Sequence, residues 1–228
     1  MAESGQALII FDCDGVLVDS EYLFARVASE CFAEIGIAIR PAEAARRFAG
    51  VSVRDLLSQV AHEHATKLPP GFEAYLGERE ERAYAAELKP ITGVRDAIGA
   101  IPHRRCVASS SLPARIAHSL AIAKLDDLFE PQALFSTTLV THGKPAPDIF
   151  LYAARTMGER IEHCLVVEDS VPGVVGAIAA KMRVVGFHGG GHCGPGHGES
   201  LRVAGAHLVI DTMSELPGAI RALLSRGQ

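Results

Sequence analysis

The sequence has no tryptophan, and aromatic residues make up only 6% of its 228 residues. It also has no cluster of lysine and arginine, and its formal net charge is -5 at pH 7. A nucleic-acid-binding protein carries a basic face, so this class is disfavoured and no nucleic-acid partner is expected. About half of the residues (48%) are hydrophobic. A chain of this length can therefore bury one large core, or a core with a smaller second domain.

Long hydrophobic runs and paired cysteines are missing as well. No apolar stretch approaches the length of a membrane span, and the first one, residues 7–11, has no basic segment before it. The five cysteines include no CxxC pair, which disfavours a disulfide framework and a zinc knuckle. We therefore expect a cytoplasmic protein without a membrane partner, present as a monomer or a weak homo-oligomer.

Short apolar runs do recur, with helical patterns between them. Four lie at residues 8–11, 105–108, 164–167 and 184–187, and a weaker fifth lies at 206–210. Their length and β-branched content are typical of buried parallel strands. Serine or proline residues near 111–113, 147–148 and 170–172 indicate that helices start soon after strand ends. The alternation predicts an α/β protein with a doubly wound, Rossmann-like parallel sheet.

A different pattern interrupts this alternation between residues 19 and 88. Strand signals disappear there, and apolar residues from Phe24 to Ile35 recur at helical spacing. Further helical stretches at 53–64 and 72–87 indicate a small helical bundle. We therefore predict a core domain formed by residues 1–18 and 89–228, with an inserted helical cap domain at 19–88.

Two pairs of acidic residues follow predicted strands. Asp12 and Asp14 come after the first run, and Glu168 and Asp169 come after the run at 164–167. Ligands of open α/β sheets bind beyond the carboxyl ends of the strands, so both pairs are expected at one site. Burying such carboxylates without a cation is costly. Because Mg²⁺ prefers carboxylate and carbonyl oxygens, the pairs suggest a magnesium site.

Two further segments supply groups that can bind an anion. Ser109 and Ser110 follow the second strand, where hydroxyl groups and free backbone N–H groups meet at a helix start. Lys144 lies between a glycine and a proline-rich turn that restricts its backbone. A lysine held beside buried carboxylates would neutralise charge and bind a phosphoryl oxygen.

These four segments, in this order, resemble the haloacid-dehalogenase superfamily, and within it the β-phosphoglucomutase-like branch of phosphatases and mutases. The resemblance spans nearly the whole chain. It implies that Asp12 is a nucleophile forming an aspartyl phosphate and that Asp14 is a general acid and later a general base. It also implies that Ser109 and Lys144 bind the transferring phosphoryl group, with Ser110 beside them.

The same resemblance implies a Mg²⁺ cofactor. Asp12, the carbonyl group of Asp14, and Asp169 would coordinate the ion, while Glu168 would support it directly or through water. The expected function is a magnesium-dependent phosphatase acting on a small phosphorylated metabolite, with a phosphorylated sugar or sugar acid as the best substrate class. The segment Gly50, Val51 and Ser52 resembles the substrate-specificity loop of the family.

Two alternatives stay open. A sugar-phosphate mutase would share the whole core, but the cap positions that mutases fill with a histidine and a basic residue match Phe24 and Val53 here. Leu112 and Pro113 also replace a polar pair of the mutases, although Arg54 keeps the alternative open. A non-catalytic sugar-phosphate-binding protein is the second alternative, and the complete set of acidic, serine and lysine residues disfavours it.

One segment has no role in this scheme. Residues 188–198 are rich in glycine and histidine, and four of them could ligate a transition metal: His188, His192, Cys193 and His197. Their spacing matches no closed zinc pattern, and the glycines favour a flexible surface loop.

Overall fold

The computed structural model describes residues 6–48 and 53–225. The chain forms two compact units and passes between them after Val18, Leu88, Gly190 and Gly194. The α/β unit begins the chain and contains the sheet, and the helical unit contains residues 19–88 together with 191–194. Residues 191–194 were predicted to belong to the core domain, whereas the structure groups them with the helical unit.

The α/β unit is built on a six-stranded sheet. Its strands are β1 (Leu8–Phe11), β2 (Arg104–Ser109), β3 (Leu134–Ser136), β4 (Cys164–Glu168), β5 (Arg183–Phe187) and β6 (Leu208–Ile210). All neighbouring pairs are parallel, in the order β3-β2-β1-β4-β5-β6. The predicted parallel sheet is therefore confirmed. Strand β3 was not predicted from the sequence, and it is only three residues long.

The helical unit contains four helices within its described residues. They are α1 (Ser20–Glu34), α2 (Pro41–Phe48), α3 (Val53–Glu63) and α4 (Phe72–Glu87). The buried face of α1 follows the predicted spacing, and Phe32 packs against the rings of Phe48 and Phe72 at centroid distances of 6.2 and 5.4 Å. Aromatic and aliphatic side chains thus give this unit a core of its own.

Six α-helices lie in the described residues of the α/β unit. They are α5 (Val94–Gly99), α6 (Pro113–Ile122), α7 (Asp148–Thr156), α8 (Val171–Ala179), α9 (His197–Val203) and α10 (Leu216–Ser225). Phe150 of α7 and Val174 of α8 pack with Leu8 and Ile10 of β1 in one buried cluster. No helix in the described parts of the chain combines the length and hydropathy needed to cross a membrane.

Sheet order determines which strand ends are neighbours. β1 lies between β2 and β4, and Phe11 at its end is level with Val107 on one side and Val167 on the other. The residues that follow β1, β2 and β4 therefore emerge side by side at the carboxyl edge of the sheet.

The glycine-rich segment is a loop up to Gly196, as its composition predicts, but part of it is closely packed. Within the helical unit, the amide of Gly191 donates to Asp19 Oδ1 at 3.1 Å. A Cβ atom at Gly191 would lie 2.8 Å from Asp19 Oδ2 and 3.0 Å from Tyr22 Cβ, so the backbone packs closely there. His192 is buried, with 5% of its surface exposed. The loop prediction is therefore confirmed for residues 188–196, where Gly191 is exposed, but the burial of His192 was not predicted.

Candidate active site

The chain turns sharply after β1 and presents two aspartates. The amide of Asp12 still donates to Val167 O at 3.0 Å, which extends the β1–β4 ladder by one residue. Gly15 has a φ of +80°, a conformation that favours glycine, and its amide donates to Val18 O at 2.8 Å. Asp12 is buried and Asp14 is half-buried, so the turn holds the first carboxylate inside and the second at the surface of the site.

Lys144 lies between the two acidic segments. Its Nζ atom donates to Asp12 Oδ1 and to Glu168 Oε1, at 2.6 Å in each case, and 6% of its side chain is exposed. The ammonium group also lies 5.4 Å from the centre of the Phe150 ring. Lys144 therefore joins the ends of β1 and β4 by charge-assisted hydrogen bonds.

The backbone around Lys144 is held by close packing. A Cβ atom at Gly176 of α8 would lie 3.0 Å from Ala146 O and 3.2 Å from Pro145 O, so only glycine allows this approach without displacement. The Lys144–Pro145 peptide bond is cis. The prediction that this lysine is held in place is consistent with these contacts.

The electrostatic environment keeps Lys144 charged. Burial lowers the pKa of Lys144, but attraction from Asp12 and Glu168 and hydrogen bonds to both outweigh it, so the pKa is raised. For Asp12, burial raises the pKa well above its ordinary value. Lys144 opposes this rise, whereas Glu168 and the other nearby carboxylates add to it.

Glu168 is held by donors on both of its oxygen atoms. Lys144 occupies Oε1, and the amide and hydroxyl groups of Ser170 donate to Oε2 at 2.9 Å each. Ser170 also caps α8, because its Oγ accepts from the amide of Gly173 at 3.1 Å. A Cβ atom at Gly173 would lie 1.8 Å from Glu168 Oε1. The start of α8 therefore encloses this carboxylate tightly.

Three acidic side chains converge close to Lys144. Oxygen atoms of Asp12, Glu168 and Asp169 all lie within 4.8 Å of one another, and all three residues are buried. Burial raises the pKa of Asp169 well above its ordinary value, and the charge of Glu168 raises it further. One ammonium group faces three buried carboxylates, so the negative charge is in excess. Oxygen ligands with excess negative charge suit a hard divalent cation.

The serine segment at the end of β2 contacts Asp14. Ser111 Oγ donates to Asp14 Oδ2 at 2.7 Å, and Ser109 Oγ lies 3.4 Å from the same oxygen. The helix start indicated near residues 111–113 lies at Pro113, and no side chain caps α6. Ser110 is exposed, and its carbonyl accepts from Thr137 Oγ1 at 3.3 Å.

Two residues of this region carry contacts that the sequence analysis missed. One is Ser111, which follows the two candidate serines and was interpreted only as a signal for the start of a helix. The other is His197, whose Nε2 atom donates to the carbonyl of Asp169 at 2.6 Å. His197 begins α9 and was assigned to a loop. A histidine far from the acidic motif in sequence gives no local signal of this contact.

The structure brings Asp12, Asp14, Ser109, Lys144, Glu168 and Asp169 to the same edge of the sheet. The predicted specificity residues Gly50, Val51 and Ser52 lie outside the described residues. The site is thus formed by residues at and just beyond the carboxyl ends of β1, β2 and β4, together with the turn before α7.

Comparisons with known proteins agree with this architecture. The family model of haloacid dehalogenase-like hydrolases matches residues 7–181. A 6-phosphogluconate phosphatase of Escherichia coli (strain K12) is 34% identical over 180 residues, covering 78% of this chain and 81% of the relative.

Two solved structures are similar over almost their full length. A haloacid dehalogenase-like protein of Agrobacterium tumefaciens str. C58 has a TM-score of 0.89 and 39% identity, and the match covers 96% of this chain and 99% of that one. A HAD family hydrolase of Deinococcus radiodurans R1, with bound phosphate and sodium, has a TM-score of 0.87 and 30% identity, covering 97% of each chain.

The fold and the site define an α/β protein with a parallel sheet and an acidic site at the carboxyl edge of that sheet. The chain belongs to the haloacid dehalogenase-like hydrolases. It is therefore an enzyme. The similar protein of E. coli described above is named a phosphatase.

Proposed function

We propose that this protein is a magnesium-dependent phosphatase that hydrolyses a small phosphorylated metabolite through an aspartyl phosphate on Asp12. The observation that carries the proposal is the position of Lys144, which is 2.6 Å from both Asp12 and Glu168 in a buried setting. A nucleophilic carboxylate must approach an anionic phosphate, and fixed positive charge at that point lowers the repulsion.

The first step transfers the phosphoryl group to the protein. A carboxylate oxygen of Asp12 forms a bond to phosphorus while the bond from phosphorus to the ester oxygen breaks. Asp14, protonated at this stage, gives its proton to the departing alkoxide, so that an alcohol leaves. Ser109 and Lys144 bind the oxygen atoms of the transferring group.

The second step releases the phosphate. Asp14, now a carboxylate, takes a proton from a water molecule as the water oxygen attacks phosphorus. The bond between phosphorus and Asp12 breaks, which regenerates the carboxylate and yields inorganic phosphate. Asp14 recovers its proton in this step and is ready for another substrate.

Mg²⁺ fits the donor set of the site. The excess negative charge among three buried carboxylates and the oxygen chemistry of the ligands both favour a hard cation. Asp12, Asp169 and the carbonyl group of Asp14 would hold the ion. When bound, it supplies positive charge that offsets the repulsion between Asp12 and the phosphate. Because protein donors engage both oxygens of Glu168, we assign this residue to orienting Lys144.

A phosphorylated sugar or sugar acid is the substrate class that we propose. The similar E. coli protein is named for a phosphosugar acid, and this likeness supports the class without specifying the compound. The substrate-specificity loop is proposed to include Gly50, Val51 and Ser52. The cytoplasmic location and the monomeric or weakly associated state stay predictions.

The test is magnesium-dependent phosphate release from a panel of sugar phosphates, phosphosugar acids and other small phosphate esters. The matched variant is Asp12→Asn, which keeps the shape of the side chain but removes the nucleophile. Release by the native protein and none by the variant supports the proposal. Equal release by both proteins would exclude Asp12 as the nucleophile.

The same panel tests the mutase alternative. Phe24 and Val53, which occupy the positions of the polar mutase residues, pack against the apolar core of the helical unit. We therefore expect no conversion of glucose 1-phosphate into its 6-phosphate isomer. Conversion without phosphate release would establish the mutase in place of the phosphatase.

A further inference from the structure

Ser111 makes three hydrogen bonds that fix both its backbone and its side chain. Its amide donates to Ser109 Oγ at 3.0 Å, and its carbonyl accepts from Ser136 Oγ at 2.7 Å. Its own hydroxyl donates to Asp14 Oδ2 at 2.7 Å. Ser109 and Ser136 are fully buried. Ser111 is thus a rigid link between the ends of β2 and β3 and the carboxylate of Asp14.

The two serine hydroxyls near Asp14 differ in what they are able to do. Ser109 Oγ accepts from the amide of Ser111, and it lies 3.4 Å from Asp14 Oδ2, a long distance for a hydroxyl donor. A hydroxyl has one hydrogen, so Ser109 cannot donate fully to Asp14 and to a phosphoryl oxygen at once. Ser111 has the shorter bond to Asp14 and is the better candidate to hold it.

We infer that Ser111 is a positioning residue that holds Asp14 for proton transfer and leaves the hydroxyl of Ser109 to bind the phosphoryl group. This inference rests on the proposed phosphatase function. The bond from Ser111 engages one carboxyl oxygen of Asp14. The other oxygen of Asp14 can then carry the proton that passes to the leaving group. The same hydrogen bond opposes a rotation of the Asp14 side chain away from the substrate.

The effect of removing Ser111 on the rate of phosphoryl transfer should therefore depend on the leaving group of the substrate. A sugar alkoxide is a poor leaving group and needs the proton from Asp14, whereas nitrophenolate is a stable anion that needs little protonation. Loss of Ser111 should therefore slow phosphoryl transfer from a sugar phosphate much more than transfer from p-nitrophenyl phosphate. A purely structural role would slow both reactions to the same extent.

The experiment compares kcat/KM of the native protein, Ser111→Ala and Ser111→Thr on both esters, with the best sugar phosphate of the panel as the alkyl ester. For Ser111→Ala we expect a fall of about 10-fold to 100-fold on the sugar phosphate, the size expected for a misplaced catalytic group. The fall on p-nitrophenyl phosphate should be less than about threefold. Ser111→Thr retains the hydroxyl and should restore the native ratio of the two rates.

Two controls separate the possible failures. Ser200→Ala removes another serine, whose hydroxyl donates to Gly196 O at the start of α9, and should leave both rates unchanged. Asp14→Asn should show the same leaving-group dependence as Ser111→Ala, in larger measure. An equal fall on both esters, or no fall, in Ser111→Ala would overturn the inference while leaving the phosphatase in place. A native protein inactive on both esters would overturn the proposed function itself.

Discussion

Two acidic pairs lie at the carboxyl ends of parallel strands in this protein, and their surroundings differ. The first acidic pair, Asp12 and Asp14, is followed by a glycine turn, whereas the second acidic pair, Glu168 and Asp169, is followed by a serine-capped helix. Protein donors engage both oxygens of Glu168. Asp14 is half-buried, where a substrate could reach it. An acidic pair at a strand end therefore has two different outcomes. The first acidic pair is suited to reaction, whereas Glu168 of the second acidic pair is anchored by protein donors.

Lys144 joins the two pairs, so its removal should have the largest effect on stability. In Lys144→Ala, Asp12 and Glu168 would lose the ammonium group that lies 2.6 Å from each. Removing one partner of a buried ion pair costs about 3–5 kcal/mol, because a buried charge is left uncompensated. Urea unfolding in the presence of a chelator measures this loss.

The matched control for this substitution is Lys67→Ala, which removes an exposed lysine. Its free energy of unfolding should change by no more than about 0.5 kcal/mol. Equal stability of the two variants would show that Lys144 does not compensate the buried carboxylates.

Magnesium should stabilise the protein by binding Asp12 and Asp169. This effect distinguishes Asp169, a proposed ligand of the ion, from Glu168, which we assign to orienting Lys144. At an ion concentration of about 100 times the dissociation constant, a ligand that binds only the folded state adds about 2.7 kcal/mol. For a chain of this length, that corresponds to a rise in Tm of about 5–10 °C. Thermal unfolding with Mg²⁺ and with a chelator checks the rise.

Two variants sharpen the metal experiment. Asp169→Asn should abolish the rise in Tm, because it removes one proposed ligand. Ser170→Ala should keep the rise, since Ser170 contacts Glu168 and not the proposed ion. A full rise in Asp169→Asn would contradict the proposed ligand set.

Gly173→Ala tests how tightly the second pair is anchored. The added Cβ would lie 1.8 Å from Glu168 Oε1, so the carboxylate and Lys144 would have to move. Overpacking of this kind costs about 1–3 kcal/mol, and the displacement should also lower phosphatase activity. Urea unfolding and the phosphate-release assay measure the two effects.

Gly77→Ala is the matched control, since a Cβ at this position in α4 meets no atom within 4 Å. There the same change should stabilise the protein by about 0.5–1 kcal/mol, because alanine is the better helix former. Opposite signs at the two glycines would support the close approach at Gly173, and stabilisation at both would refute it.

Ser170→Ala should have the smallest effect. It removes the cap of α8 and one of the two hydrogen bonds to Glu168 Oε2, but the backbone amide bond remains. Loss of a serine cap costs about 1 kcal/mol. Chemical denaturation should show this loss, with Ser225→Ala at the exposed end of α10 as a control of little effect. A loss as large as that of Lys144→Ala would mean that the hydroxyl, rather than the lysine, anchors Glu168.

The sequence predicted five of the six strands and the helical segment between residues 19 and 88. These elements were predictable because the spacing of apolar residues along a short stretch of sequence indicates a helix or a strand. It missed β3, since three residues at 134–136 are too few to show a pattern. The buried state of His192 was missed because glycine content indicates a loop but not what packs around it.

Of the candidate site, the residue types and their order were readable from the sequence, whereas most of the contacts were not. Residues 111–113 were interpreted only as a helix-start signal, yet the hydroxyl of Ser111 reaches Asp14. His197 was considered only as a possible metal ligand, and its contact with Asp169 was not predicted. Both contacts join segments that are distant in sequence, and local patterns carry no information about them.

The sequence by itself determined the alternation of strands and helices, the two acidic pairs, and the position of a lysine in a proline-restricted turn. Only the tertiary structure decided that Lys144 reaches Asp12, 132 residues away, and that Ser111 reaches Asp14, 97 residues away. The physical reason is that helix and strand formation depends on nearby residues, whereas these contacts depend on the order of strands in the sheet. With β1 between β2 and β4, the three strand ends meet at one edge.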